Sequence, residues 1–169
     1  MNKGLIALGA VVVVIIIVVG GFFSLYNGLK ESEISVDASY GQVENQMQRR
    51  SDLIPNLVNT VKGYDVHEKA IIEEVINARA KLVGAQGVEQ MDAANAELSG
   101  ALGRLFAIAE AYPDLKANTQ YLELMRELAG SENRIAVARR DYNEAVREYN
   151  VRISTFPGMF LAGSMGMTQ

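Results

Sequence analysis

The 169 residues carry 16 basic and 20 acidic side chains, a net charge of −4, with no cysteine, no tryptophan and three prolines. Without cysteine there is no disulfide, no thiolate chemistry and no Cys-ligated zinc. Without a basic field nothing gathers a phosphate backbone, so nucleic acid is not an expected partner.

The first element is "GLIALGAVVVVIIIVVGGFFSLY", Gly4 to Tyr26, 23 residues without a charge. As a helix it spans roughly 34 Å, enough for a hydrocarbon core of ~30 Å. Its Val/Ile run has poor helix propensity in water, but in lipid only a helix satisfies every backbone group. The run is too long for a signal peptide, and no small-x-small cleavage pattern follows it. The expectation is a retained single membrane anchor over residues 1–29, with Phe22, Phe23 and Tyr26 near one interface. Lys3 and the terminal amine flank one end and Lys30 the other. The charge rule therefore leans, by a single charge, toward an internal N-terminus, and leaves the side of the helical domain open. Gly20, Ser24 and Gly28 repeat at four-residue steps, a spacing that lets membrane helices approach closely or simply reflects the commonness of small residues at membrane helix ends.

Residues 30–157 read as helices with no strand alternation. Val36, Tyr40, Val43, Met47, Ile54, Val58 and Val61 recur at three- and four-residue steps, apart from one seven-residue gap, and make one helical face. Pro55 lies within this helix. It removes one hydrogen bond and clashes with the carbonyl of Ser51, so a kink is expected there, with neighbouring polar groups (Arg49, Arg50, Asp52, Asn56, Asn59) placed to satisfy that carbonyl or to bridge to the last helix. Gly63 is a stop signal, and Asp65 with Glu68 three residues later is an Asx version of the capping box, so "GYDVHE" reads as a helix–helix turn. The second helix carries Ile71, Val75, Ala78 and Leu82 and ends at Gly84 to Gly87. A third runs from about Val88 through "MDAANAELSGALGRLFAIAEAY". The fourth is expected to begin at Pro113 and Asp114, with Leu115, Leu122, Met125 and Ala129 on its stripe. Gly130–Ser131 interrupts or kinks it before Ile135, Ala138, Tyr142, Val146, Tyr149, Ile153 and Phe156, and Pro157 closes it. Short connections make neighbours antiparallel. The predicted fold is all-α: an N-terminal transmembrane helix followed by an up-and-down antiparallel bundle of four long helices.

Chemistry is sparse. His67–Glu68 has the opening of HExxH, but Ile71 stands at the second histidine position, and one histidine without cysteine leaves zinc to three chance carboxylates. No G-x-S-x-G, P-loop or glycine-rich phosphate loop occurs. No catalytic, cofactor or metal residues are assigned, and no small-molecule substrate is expected. The last helix holds Arg134, Arg139, Arg140, Arg147 and Arg152 interleaved with acids, Glu148–Arg152 being a well-oriented pair at four-residue spacing. A solvated, salt-bridged face accounts for these arginines. Arg139, Arg140 and Arg147, with Phe156 and Phe160, are also the candidate surface for another protein chain. From Ile153 to Gln169 no side chain is charged. The tail 158–169 is therefore expected to be disordered, to pack on a second subunit, or to dip into the membrane interface.

The pieces "YNGL", "RRSDLIPNLVNTVKGYDVHE", "INARAKL", "AYPDLKAN", "ELAGSENRIAVARRDYNEAVREYN" and the closing "FP" resemble the bacterial LemA family over nearly all of residues 26–157. The resemblance implies a single-pass, N-terminally anchored protein of the bacterial inner membrane with a helical bundle and no enzymatic activity. Its relatives include a magnetosome-membrane protein, which implies a role in organising or shaping membranes. The leading expectation is a membrane-anchored, homo-oligomeric scaffold whose partner is the lipid bilayer. The alternative is an adaptor or regulator of another membrane protein, such as a membrane protease.

Overall fold

The structure, a computed structural model, describes residues 3–64 and 68–167. These are all-helical, with no strand among them: α1 (Lys3–Lys62), α2 (Lys69–Gly84), α3 (Gly87–Ala109), α4 (Pro113–Lys116), α5 (Thr119–Ser154) and α6 (Gly158–Ser164). Two compact units form, one from residues 40–141 and one from residues 1–39 with 142–169.

In the 40–141 unit, the α1 stripe buries Val43, Met47, Ile54, Leu57, Val58 and Val61. The buried apolar set of this unit continues with Ile72, Val75, Ala78 and Leu82 of α2, Leu98, Leu102 and Leu105 of α3, and Tyr121, Leu124, Leu128 and Ile135 of α5. A fully buried Leu, Ile or Val contributes roughly 1.5–3 kcal/mol, against roughly 0–1 for an exposed ion pair, so the stripes dominate. Helices α2 and α3 run in opposite directions, as the ion pairs Lys81–Glu97 and Arg104–Glu74 require. The end of α1 meets the start of α5, where the Asn118 amide donates to the Tyr64 hydroxyl at 2.6 Å. The Asn118 carbonyl oxygen also accepts from the Tyr121 N–H at 2.9 Å, an N-cap of α5.

Three expectations about these helices change. The segment after Pro113 is not one helix: Pro113–Lys116 is a single turn, and α5 starts at Thr119. That break resets the helical phase, so the buried stripe at the start of α5 is Tyr121, Leu124 and Leu128, while Leu122 is exposed. In α2 the face runs as expected through Val75, Ala78 and Leu82, but its first buried member is Ile72, three residues before Val75, while Ile71 is half-buried. Finally, α5 passes through Gly130–Ser131 uninterrupted. Ser131 is fully buried, and its hydroxyl donates to the Leu128 carbonyl at 2.6 Å, which silences the polar group within its own helix.

In the other unit, Leu29 of α1, Ile153 of α5 and Ala162 of α6 form a small core flanked by Tyr149, Leu161, Met165 and Met167. Residues 158–164 of the tail are thus helical, with Ala162 packed against Leu29 and Ile153. Gly158 makes this possible: a Cβ there would collide with the Arg152 main-chain carbonyl oxygen. The α1 segment of this unit is apolar on every side, with Val11 to Val19 each 47–67% exposed. Among the described residues α1 is the one helix long and apolar enough to cross a membrane.

Candidate functional site

The seven-residue gap in the α1 stripe, between Met47 and Ile54, is filled by Arg50 and Ser51, which are 3% and 1% exposed. A guanidinium removed from water needs partners. Arg50 donates to Asn95 Oδ1 at 2.6 Å and to Ser99 Oγ at 3.0 Å, both on α3, and forms an ion pair with Glu132 on α5. The Ser99 hydroxyl in turn lies 2.9 Å from the Asn95 carbonyl and 3.3 Å from Glu132 Oε2. Burial pulls the Arg50 pKa below the usual arginine value, and the Glu132 carboxylate opposes that shift. The result is a clamp joining α1, α3 and α5 through one side chain. Its carboxylate is engaged by the guanidinium, the arrangement of a tie between helices. Among the described residues no three acidic or histidine side chains gather as a metal centre requires.

One turn on, Pro55 leaves the Ser51 carbonyl without its helical donor. Arg79 of α2 supplies one, donating from Nε to that oxygen at 2.9 Å. Among the polar residues near Pro55, Arg50 does bridge to the last helix, but the donor to the freed carbonyl comes from "INARAKL" on another helix. The signals for both were present: a gap in an apolar stripe, and a proline four residues after a carbonyl.

The other sequence-predicted positions divide as follows. Gly63 follows the end of α1, its N–H donating to the Asn59 carbonyl at 3.2 Å. Among the described residues only Gly87 and Gly166 take the left-handed backbone, so Gly63 does not. Glu68 is the N-cap residue of α2, with no side-chain capping bond. Asp65 and His67 lie outside the described residues. Arg139 pairs with Asp92 of α3 at 2.6 Å, Arg140 with the adjacent Asp141 at 3.1 Å, and Arg147 with Glu144 on its own helix. Arg152, spaced to meet Glu148, instead donates to the Gly28 carbonyl at 2.8 Å.

Of the small-residue stripe, Gly20 has open space where a Cβ would stand, Ser24 is exposed, and Gly28 has the Arg152 guanidinium 3.5 Å from its Cβ position. Phe156, the expected last member of the α5 stripe, is not in the core. It is 78% exposed and stacks edge to face with Phe160 at 6.1 Å. The reversal at Pro157 turns the stripe's last member outward, and Ala162 of α6 takes the covered position instead.

Residues 39–169 match the LemA family. The chain belongs to the LemA family. Its curated relatives include the magnetosome proteins MamQ 1 and MamQ 2 of Paramagnetospirillum magneticum, each 28% identical over 81% of this chain and 60% of their own length. Protein LemA of Metamycoplasma hominis is 25% identical over 77% of this chain and 60% of its own. The chain therefore spans about three fifths of the length of the curated relatives it matches. The family match covers the clamp, the Pro55–Arg79 contact and α6, but not the apolar stretch of this LemA-family chain.

Proposed function

We propose that this LemA-family chain is a single-pass membrane scaffold without enzymatic activity. In this reading residues 1–29 cross the bacterial inner membrane and the remaining long helices form an up-and-down antiparallel bundle. Copies of the chain associate and organise the membrane that holds them. The observation that carries the reading is the bare apolar helix: Val11 to Val19 face outward all round with no protein covering them, a surface that water does not tolerate and lipid does. The open flank at Gly20 and Ser24 supports close approach of a second anchor. The magnetosome relatives support a role at a membrane-bounded structure.

The test is the mass of the full chain in mild detergent, by light scattering. A discrete assembly larger than one 18.4 kDa chain is expected, dispersing when Gly20→Ile and Ser24→Ile are combined. A monomer at every concentration would sink self-association. It would favour the adaptor reading, for which Arg140 and Arg147, exposed on α5, are the surface to mutate first.

A further inference from the structure

In the unit of residues 1–39 and 142–169, α6 is apolar on two faces. Gly158 and Ala162 pack onto Leu29 and Ile153. The opposite face carries Met159 and Phe160, joined by Phe156 just before the helix, and the three are 48%, 70% and 78% exposed. Large exposed rings concentrated in so short a segment mark a contact surface, not ordinary solvent exposure.

Three observations identify what covers that face. The first is depth. Phe156, Pro157 and Gly158 line a crevice of about 310 Å³ with Ser24, Leu25, Gly28 and Leu29. The crevice runs from Ser24 and Leu25, inside the uncharged run, past Tyr26 to Gly28 and Leu29, with Arg152 also on its wall, so Phe156 stands at the end of that run, where the boundary of a bilayer crossed by it would lie. The second is charge: no residue from Ile153 onward carries any, so the segment offers nothing for an ion pair with a protein partner. The third is polar satisfaction. The Thr155 hydroxyl donates to the Val151 carbonyl at 2.8 Å and the Ser164 hydroxyl to the Leu161 carbonyl at 2.7 Å. The N–H groups of Met159, Met165 and Met167 donate to Thr155, Leu161 and Ala162 carbonyls. A segment whose hydroxyls and amides are already paired within itself is what a lipid environment demands, since lipid supplies no hydrogen-bond partners.

We propose that α6 is a second membrane contact, with Phe156, Met159 and Phe160 lying in the headgroup–acyl boundary of the same bilayer that residues 4–26 cross. This rests on the anchor reading above. It adds an interfacial wedge beside the span, so that each chain displaces lipid in one leaflet more than in the other. The exposed aromatics of α1, Phe22 and Phe23, and those of α6 then form one interfacial belt.

The chain has no tryptophan, so Phe160→Trp and Phe22→Trp each install a single reporter. The full chain is reconstituted in phosphatidylcholine–phosphatidylglycerol vesicles, with or without lipid brominated in the upper acyl chain. Expected is blue-shifted emission for both variants and roughly twofold quenching of each by brominated lipid, as for a ring ~5–10 Å into the boundary. If F22W is quenched while F160W emits as in water, the α6 contact is overturned and the anchor stands. If F160W is blue-shifted but unquenched, protein covers the face, a second copy being the candidate, and the lipid contact is equally overturned. If F22W is not quenched, the anchor reading fails and the α6 contact falls with it.

Discussion

Arg50 shows how one side chain joins three helices. Its position breaks an apolar stripe, its guanidinium has left water, and its partners Asn95, Ser99 and Glu132 come from two other helices. Removing one partner of a buried charged network leaves the others stranded, so the change to alanine is costly. Arg50→Ala is expected to lower stability by about 3 kcal/mol, measured as unfolding followed by circular dichroism in detergent. Arg50→Met keeps the apolar stem and is expected to cost about half as much. Glu132→Ala is expected to cost about 2 kcal/mol, less than Arg50→Ala, because the Arg50 guanidinium, 4% exposed, loses its counter-charge but keeps Asn95 and Ser99. Equal losses for all three variants would mean that packing, and not the charge network, holds the site. The sequence did mark this place, since a seven-residue step in a helical stripe says that something other than an apolar side chain occupies the gap. It did not say that the occupant is buried, because an arginine in such a gap is equally at home in water.

At the scale of elements, α1 tolerates Pro55 because another helix repairs the damage. The Ser51 carbonyl loses its donor at position 55 and gains the Nε–H of Arg79. Restoring the N–H with Pro55→Ala returns the usual helical bond, so the two repairs are interchangeable and their mutational effects must couple. Arg79→Ala alone is expected to cost about 1–2 kcal/mol, the desolvation of an unpaired carbonyl. In the Pro55→Ala background the same change is expected to cost about 1 kcal/mol less, which a double-mutant cycle of unfolding free energies measures directly. A coupling of zero would mean that Arg79 stabilises through its stem alone. The helical stripes of α1 and α2 were legible as periodicities, and the phase error falls at the start of α5. In α2 only the first member moves, Ile72 standing three residues before Val75 where Ile71 stands four, and in α5 Tyr121, Leu124 and Leu128 replace Leu122, Met125 and Ala129 because Asn118 caps a fresh helix. A stripe read through an unrecognised break is displaced by one residue.

At the scale of the whole molecule, the decisive contact in the unit holding α6 joins positions far apart in the chain. Leu29 meets Ile153 and Ala162, and Gly158 lets α6 come down against the Arg152 carbonyl. Gly158→Val cannot be accommodated without moving that backbone, so α6 is expected to come away from Leu29. Amide hydrogen exchange in residues 159–165 is expected to quicken by roughly tenfold or more, each 1.4 kcal/mol of lost docking being tenfold. Exchange across 72–82, which carries the α2 core stripe, is expected to stay unchanged. Unaltered exchange in α6 would show that it folds without its seat.

The sequence by itself determined the helical class, the uncharged run long enough to span a bilayer, and membership of the LemA family. All three are carried by local periodicity, composition and motif, which do not depend on what lies opposite. Tertiary structure decided which gap residue is buried, which helix satisfies the carbonyl freed by Pro55, and that the uncharged tail packs against Leu29. Each of these turns on two or three residues separated by dozens of positions arriving within hydrogen-bond or van der Waals range. Distance in space, unlike helical period, is not written in any short stretch of the chain.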